Sequence, residues 1–430
     1  MIEHAASDWR YRDGSLCCEQ ADLSRIASSH ATPAYVYSKN SIVRNFHAYR
    51  DALQGFPHQV CFAVKANSNI GLLNVLAREG AGFDIVSGGE LYRVLAAGGD
   101  PASVVFSGVG KTSAEIRFAL SKGIHSFNCE SEYEIGQISR AAVALNSSAS
   151  IAIRVNPDVD AVTHPYISTG LREHKFGIDI NAAEDLYRRA ALLPGILIEG
   201  VSCHIGSQML AMDPVLEAAD KVLELVARLR SQGHPIRNLD LGGGLGVAYR
   251  SEERSPTVQE FLDRLKVRLQ GLDLTLMLEP GRSIVAEAGV LLTRVLLVKQ
   301  NGSKKFVIVD AAMNDLIRPA LYQAYHEITP VQETADLAAM EADVVGPVCE
   351  SGDFFARNRQ LPNVKTGDLL AIRTAGAYGF VLSNNYNSRP RACELLVDGA
   401  NVLVVRRRET YEDLVRGESV PAEVLTGAAN

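Results

Sequence analysis

The chain has 430 residues, 47% of them hydrophobic and 22% charged, which supports a large buried core and excludes disorder over most of its length. A formal net charge of −7 argues against a nucleic-acid partner. The best candidate for a membrane span, Val290–Val298, is too short and is interrupted by Arg294.

The N-terminus, MIEHAASDWR, lacks the basic stretch and apolar run of a secretory signal. Seven scattered cysteines have no zinc-site spacing, so we read them as reduced thiols, mostly small core residues, of a cytoplasmic protein. Trp9–Tyr11 and Leu16–Cys17 flank Asp13-Gly14, a hairpin-turn signal.

From Val60 onward, short β-rich runs alternate with helical segments. The runs are Val60–Val64, Phe83–Val86, Val104–Phe106, Ser126–Asn128, Ile151–Val155, Ile198–His204, Leu239–Leu241 and Thr275–Leu278. Asp213–Arg230 is one of the intervening helices, with apolar residues at helical spacing. Apolar strands separated by helices pair in parallel, and eight such units predict an α/β fold, a (β/α)8 barrel, over an open doubly wound sheet.

After about Ala286 the helices stop. Val290–Lys299, Lys305–Asp310, Ala342–Val348, Asp368–Arg373, Cys393–Val397 and Val402–Arg407 read as strands, the last two joined at Asp398-Gly399. These predict a C-terminal antiparallel β domain over 286–430, joined by an N-terminal segment, 1–35, with the barrel over 36–285. The basic run Arg406–Arg408 reads as a solvated strand end.

Barrel enzymes build their sites where the strands end. Lys65 follows the first strand, Asp84 and Ser87 close the second, and Asn128 closes the fourth. Arg154 and Asn156 end the fifth and His204 the sixth. Gly242–Gly244 follow the seventh, and Glu279 ends the eighth. Each alone has an ordinary explanation as a surface charge, a satisfied polar group or a turn; their common placement on one face is the signal.

Glycines after strands seven and eight occupy the usual phosphate position of barrels. A lysine leaving an apolar strand is partly desolvated, which lowers its pKa and favours the nucleophilic amine. Lysine plus phosphate site points to a Schiff-base aldolase or a pyridoxal-phosphate enzyme. Glu279 favours the second, because a carboxylate facing a pyridine nitrogen keeps it protonated, and His204 could stack on that ring.

The motifs VKANSN, GFDIVSGGEL, HIGSQ, GGGLG, EPGR, RPALY, CESGD and GAYG occur in order from about Asp8 to Val405. In this the chain resembles the alanine-racemase-like, fold-type-III pyridoxal-phosphate decarboxylases nearly end to end. The resemblance implies that Lys65 carries the cofactor and His204 stacks on its ring. It also implies that Glu279, Pro280, Gly281 and Arg282 hold the cofactor, with Asp84, Ser207, Gly243 and Gly244 beside it, and that Tyr378 contacts cofactor and substrate. Cys349 is implied as the proton donor and, with Glu350, comes from a second subunit, so the expected assembly is a homodimer with shared active sites. No metal is expected.

The expected reaction is decarboxylation of meso-2,6-diaminopimelate to L-lysine. The uncleaved end of that substrate needs a fork for its carboxylate, which Arg318 and Arg282 offer, with Tyr322 nearby and Glu350 for the ammonium. Decarboxylases for arginine, ornithine or carboxynorspermidine lack a distal carboxylate to pair with two arginines. Those enzymes, a racemase on the same barrel and a non-catalytic relative are the alternatives. One departure from the family is Ala312, where glycine is expected. The stretch HPYISTGLREHKF, His164 to Phe176, resembles the family's mobile loop and receives no role.

Overall fold

A computed structural model describes residues 8–159, 175–333 and 339–421. The stretch from His164 to Phe176 lies outside them except for its last two residues. Eight parallel strands form a closed barrel: His58–Ala63, Gly82–Ile85, Val104–Phe106, Ser126–Cys129, Ala149–Asn156, Ile196–Ser202, Asn238–Asp240 and Thr275–Leu278. All eight match the predicted strands. Closure comes from the eighth strand returning to the first, with Leu276 opposite His58 and Leu278 opposite Val60. A two-residue strand, Ile178–Asp179, adds to the end of the fifth.

The strands are apolar on both faces because both are covered. Phe62, Phe83, Val104, Phe106 and Phe127 belong to the main core that packs the helices, with Phe106 and Phe127 stacked at 5.9 Å. Cys61, Val105 and Met277 form a separate small cluster. The period of two puts Asp84, Asn128 and Asp240 on the same inward face as these residues. The alternation that builds the core thus lines the barrel interior with polar groups. The predicted helix at Asp213 runs to Ser231 and buries Val215, Leu216, Val222, Leu225, Val226 and Leu229.

The second region is a nine-stranded sheet. Its spine is Gly289–Asn301, whose first half pairs with Ala34–Ser38 and Leu369–Ile372 and whose second half pairs with Lys304–Val309. Most pairings are antiparallel; Lys304–Val309 with Ala339–Val345, and Cys393–Asp398 with Ala34–Ser38, are parallel. Three of its strands carry too weak a pattern to be predicted. Ala34–Ser38 is short and wholly buried, Ile328–Pro330 has three residues, and Phe354–Pro362 carries two arginines. Residue 36 falls inside the strand Ala34–Ser38, so we propose that the barrel domain begins at Lys39, where the next helix starts.

The N-terminal hairpin turns at Asp13 and Gly14, both with positive φ (48° and 76°), as a two-residue turn matching strand twist requires. It docks on the β region through Leu16 N–H to the Val331 carbonyl (2.7 Å) and Trp9 Nε1 to the Glu287 carbonyl (3.0 Å).

Buried Glu394 ties the two regions together. It accepts from Tyr37 (2.8 Å), from Asn69 at the cap of the helix after Lys65 (2.8 Å), and from Arg406 (2.5 Å). Arg406 also lies over the Phe380 ring at 4.7 Å, and Arg408 donates to the carbonyl of Pro33 at 2.7 Å. These two arginines are therefore structural, a correction to their reading as a solvated strand end; only Arg407 fits that description, paired with Asp413 at the surface. Among the described residues, no helix is long and apolar enough to cross a membrane, and no cluster of side chains could hold a metal. All seven cysteines are free and six are buried; Cys349 is exposed.

Candidate active site

A cavity of about 770 Å³ opens where the barrel strands end. Lys65, His204, Ser207, Gly244, Glu279, Gly281, Arg282, Arg318, Tyr322 and Tyr378 line it. Arg154 lines it too, whereas Asp84, Gly243, Pro280, Cys349 and Glu350 do not, nor do the strand-end candidates Ser87, Asn128, Asn156 and Gly242.

Lys65 sits in a single helical turn, Val64–Ala66, after the first strand. Two backbone ties hold that turn. The Pro280 carbonyl accepts from Ala63 N–H (3.0 Å), and the Ala66 carbonyl accepts from Tyr378 N–H (2.8 Å). Tyr378 keeps a left-handed φ of 55° to make this contact, a strained conformation that persists only under such constraint. The GAYG loop of the β region is thereby fastened to the residue beside Lys65.

Lys65 Nζ donates to Asp84 Oδ2 at 2.8 Å. Burial acts to lower the lysine pKa, but Asp84, Glu279 and Tyr378 together outweigh it, and the amine is held above its ordinary value. This overturns the expectation of a lysine made neutral by desolvation. The apolar strand supplies the burial; two carboxylates, from the second and eighth strands, decide the charge.

Those carboxylates belong to an acidic floor. Asp84, Asp240 and Glu279 are all buried (0%, 1% and 8% exposed). Asp240 accepts from Gly242 N–H and from Asn128 Nδ2, both at 2.8 Å, and Asn128 also reaches Glu279 (3.2 Å) and Ser107 (3.1 Å). Burial raises the Glu279 pKa well above the carboxylate range, with the neighbouring charges of Asp240 and Asp84 adding to it. Burial likewise raises Asp240. Asp240 and Glu279, joined by a side-chain hydrogen bond, do not both ionise readily, so the pair holds a proton. Asp84 Oδ1 is buried without a hydrogen-bond partner among the described residues.

His204 is pushed the other way. Burial, Arg154 and Lys65 all lower its pKa, so it remains an uncharged ring. Arg154 is itself fixed by buried Glu130 at 2.9 Å.

The opposite wall is cationic. Arg282, from the end of the eighth strand, donates to Tyr249 (2.8 Å) and Ser207 (3.2 Å), and its guanidinium lies 4.8 Å from the Tyr378 ring centroid. Arg318, in the RPALY turn of the β region, donates to the same Tyr249 hydroxyl at 2.9 Å. Behind it His326 is fully buried, its pKa lowered to about 3 by burial and by Arg318. Sequence reasoning missed Asp240, Tyr249 and His326. Asp240 left a signal, an acid inside an apolar strand; Tyr249 and His326 left none.

Cys349 and Glu350 are exposed on the loop after Ala339–Val345. Asp353, in the same CESGD motif, shapes that loop by accepting from Met313 N–H and Val348 N–H, both at 2.7 Å. Ala312 is buried, and its Cα lies so near Gly346 that a Cβ there would come within 2.7 Å of it. The GGGLG glycines are needed for close packing. A Cβ on Gly243 would lie 2.2 Å from the Glu279 carbonyl, and one on Gly244, whose φ is +108°, would lie 2.5 Å from the Gly206 carbonyl.

Comparison with known proteins shows the family. The pyridoxal-binding domain of the pyridoxal-dependent decarboxylases matches residues 39–286, and the chain belongs to that family. Among its relatives are diaminopimelate decarboxylases. That of Pseudomonas aeruginosa is 59% identical over 410 residues, covering 95% of this chain and 98% of its own length. The Helicobacter pylori enzyme in complex with L-lysine superposes with a TM-score of 0.88 at 44% identity, covering 92% of this chain and 98% of its own. The M. jannaschii enzyme in co-complex with L-lysine gives 0.92 at 38%, covering 96% and 98%.

The cofactor is therefore pyridoxal phosphate, and the residues fit it. The Lys65 amine, a proton-holding carboxyl at Glu279, an uncharged ring at His204 and the side-chain-free backbone of Gly244 and Gly281 all meet at one cavity.

Proposed function

We propose that this chain is a diaminopimelate decarboxylase, which removes one carboxylate of meso-2,6-diaminopimelate as carbon dioxide and releases L-lysine. The observation that carries the substrate choice is the cationic wall. Arg282 and Arg318 are buried (7% and 6% exposed), and among the described residues neither forms an ion pair with a carboxylate, while the groups acting most strongly on them are tyrosines and, on Arg318, the Arg282 charge. Two buried guanidiniums without an anion are costly, and a substrate carboxylate relieves that cost. Arginine and ornithine would leave it in place. Two relatives described above hold L-lysine.

When bound, pyridoxal phosphate supplies the electron sink for loss of carbon dioxide. Asp84 Oδ2, accepting from Lys65 Nζ at 2.8 Å, holds and orients the amine that would carry the cofactor. Glu279, its carboxyl fixed by Asp240 and Asn128, would keep a proton at the ring nitrogen. His204 offers a flat uncharged face to the ring. Ser207, Gly244 and Gly281 would hold the phosphate, while Arg282, Arg318, Tyr322 and Tyr378 would hold the substrate.

Cys349 Sγ gives the proton that replaces the lost carboxylate, and Glu350 meets the distal ammonium. Both face solvent and neither lines the cavity of its own chain, which supports their service in the site of a second copy. The assembly is accordingly a homodimer. Free thiols throughout the chain suit a cytoplasmic enzyme.

Mass spectrometry of meso-diaminopimelate reactions tests the reading directly. Lysine should form with the wild-type chain and not with Lys65→Ala; turnover of arginine, ornithine or carboxynorspermidine instead would overturn the substrate, and retention of the carboxylate would indicate a racemase. Mixing Lys65→Ala with Cys349→Ala chains tests the shared site. Half the dimers are mixed and each has one intact site, so activity should recover to about a quarter of wild type. No recovery would overturn the shared site, and full turnover by Cys349→Ala alone would remove Cys349 from the mechanism.

A further inference from the structure

Tyr249 follows the GGGLG turn and has had no part in the chemistry so far. Its side chain is buried at the cavity wall (9% exposed). Its hydroxyl oxygen accepts from Nη1 of Arg282 at 2.8 Å and from Nη1 of Arg318 at 2.9 Å. The Arg318 guanidinium also lies 4.7 Å from the centroid of its ring, and His326 meets that ring edge-on at 5.4 Å. One phenol thus joins two like charges that come from different regions of the chain.

A phenol oxygen has two acceptor positions and one hydrogen. Both acceptor positions are taken by guanidiniums, so the hydrogen is left for a third partner. Burial raises the phenol pKa, but Arg282 and Arg318 outweigh it and the net shift is downward, which makes the hydroxyl a stronger donor.

We propose that Tyr249 is the positioning residue for diacid selectivity: it sets the separation of the Arg282 and Arg318 guanidiniums and donates its hydroxyl hydrogen to the distal carboxylate of the substrate. The proposal rests on the diaminopimelate reading. It adds that the carboxylate is bound by a three-donor cluster built on one oxygen, and not by two independent arginines.

Pimelate and hexanoate are the probes, because neither carries an amine that could react and they differ in the distal carboxylate. Calorimetric titration of the cofactor-loaded protein should show wild type preferring pimelate. Tyr249→Phe, which deletes only the oxygen, should reduce that preference about tenfold. On meso-diaminopimelate the same variant should raise KM by a similar factor with kcat within about twofold, a split that loss of folded protein would not produce.

A preference unchanged by Tyr249→Phe would overturn the proposal while leaving the diacid reading intact. A wild-type protein that does not distinguish the probes would overturn both. Should Tyr249→Phe fail to fold, meta-fluorotyrosine at position 249 keeps every contact of the hydroxyl. Its fluorine NMR resonance should move with pimelate and not with hexanoate, and an unmoved resonance would equally refute the role.

Discussion

The floor and the wall of the cavity are built of opposite charge and by opposite means. The floor, Asp84, Asp240 and Glu279, comes from barrel strands alone, on positions where alternation turns the side chain inward. The wall, Arg282, Tyr249 and Arg318, draws on the barrel and on the β region, and its members meet only because one phenol accepts from both arginines. The floor has more carboxyls than it can ionise; the wall has more cations than it can pair. A cofactor nitrogen that binds a proton suits the first, and a substrate carboxylate suits the second. The two halves should therefore fail differently, the floor in kcat and the wall in KM.

The largest effect is expected at the floor. Glu279→Gln keeps the shape but cannot exchange a proton with the ring, so kcat should fall by about 10²- to 10³-fold, of the order seen when a positioned acid or base is lost, with KM nearly unchanged. Steady-state kinetics on meso-diaminopimelate decides it, and an equal loss in KM would erase the distinction between floor and wall. Next is the wall. Arg318→Gln removes a charged fork, worth about 1.5–3 kcal/mol per hydrogen bond to a charged group. KM should rise at least tenfold, with kcat changed far less.

The two halves were also unequally legible in the sequence. Lys65, His204, Glu279 and the glycines announce themselves as polar or small residues ending apolar runs, because strand ends and barrel mouths are the same place. Charge was not legible. Lys65 looks like a desolvated amine until Asp84, from the next strand, is seen 2.8 Å away. Asp240 was hidden for a related reason: an acid within an apolar strand matters only once the barrel closes and brings Glu279 beside it. The wall was partly visible, as two arginines in motifs, but their shared phenol depends on a turn and a β region packing together. Ala34–Ser38 escaped notice because a short, fully buried strand has no alternation to read.

His326 gives a test of the wall that needs no substrate. It is neutral and buried behind Arg318, with its pKa lowered to about 3 from the ordinary 6.5. The unfolded chain therefore binds a proton at pH values where the folded chain does not. Stability is full above about pH 6.5 and is lost as pH falls toward 3, with a slope of at most about 1.4 kcal/mol per pH unit from this residue. His204 adds to the same trend. Denaturant unfolding between pH 7 and pH 5 should give a shallower slope for His326→Gln than for wild type; an identical slope would mean that a third positive charge is tolerated at the wall.

Asp240→Asn probes the floor in the same way, with the opposite sign. Asp240 and Glu279 both have raised pKa values in the folded chain, so folding binds protons there. Their contribution to stability is present below the ordinary carboxyl range and is lost as pH rises from it toward the folded values. An asparagine can still accept from Gly242 N–H and adds no second charge, although its amide nitrogen no longer accepts from Asn128 Nδ2 unless that amide turns over. At neutral pH the cofactor-free Asp240→Asn chain should be more stable than wild type, by about 1 kcal/mol, which is a little under one unit of pKa. The same change makes Glu279 release its proton more readily, so the alkaline limb of kcat in the loaded enzyme should move to lower pH. A gain in stability together with a displaced limb would mark the floor as strained in favour of its proton; stability lost with an unmoved limb would make Asp240 an ordinary packing residue.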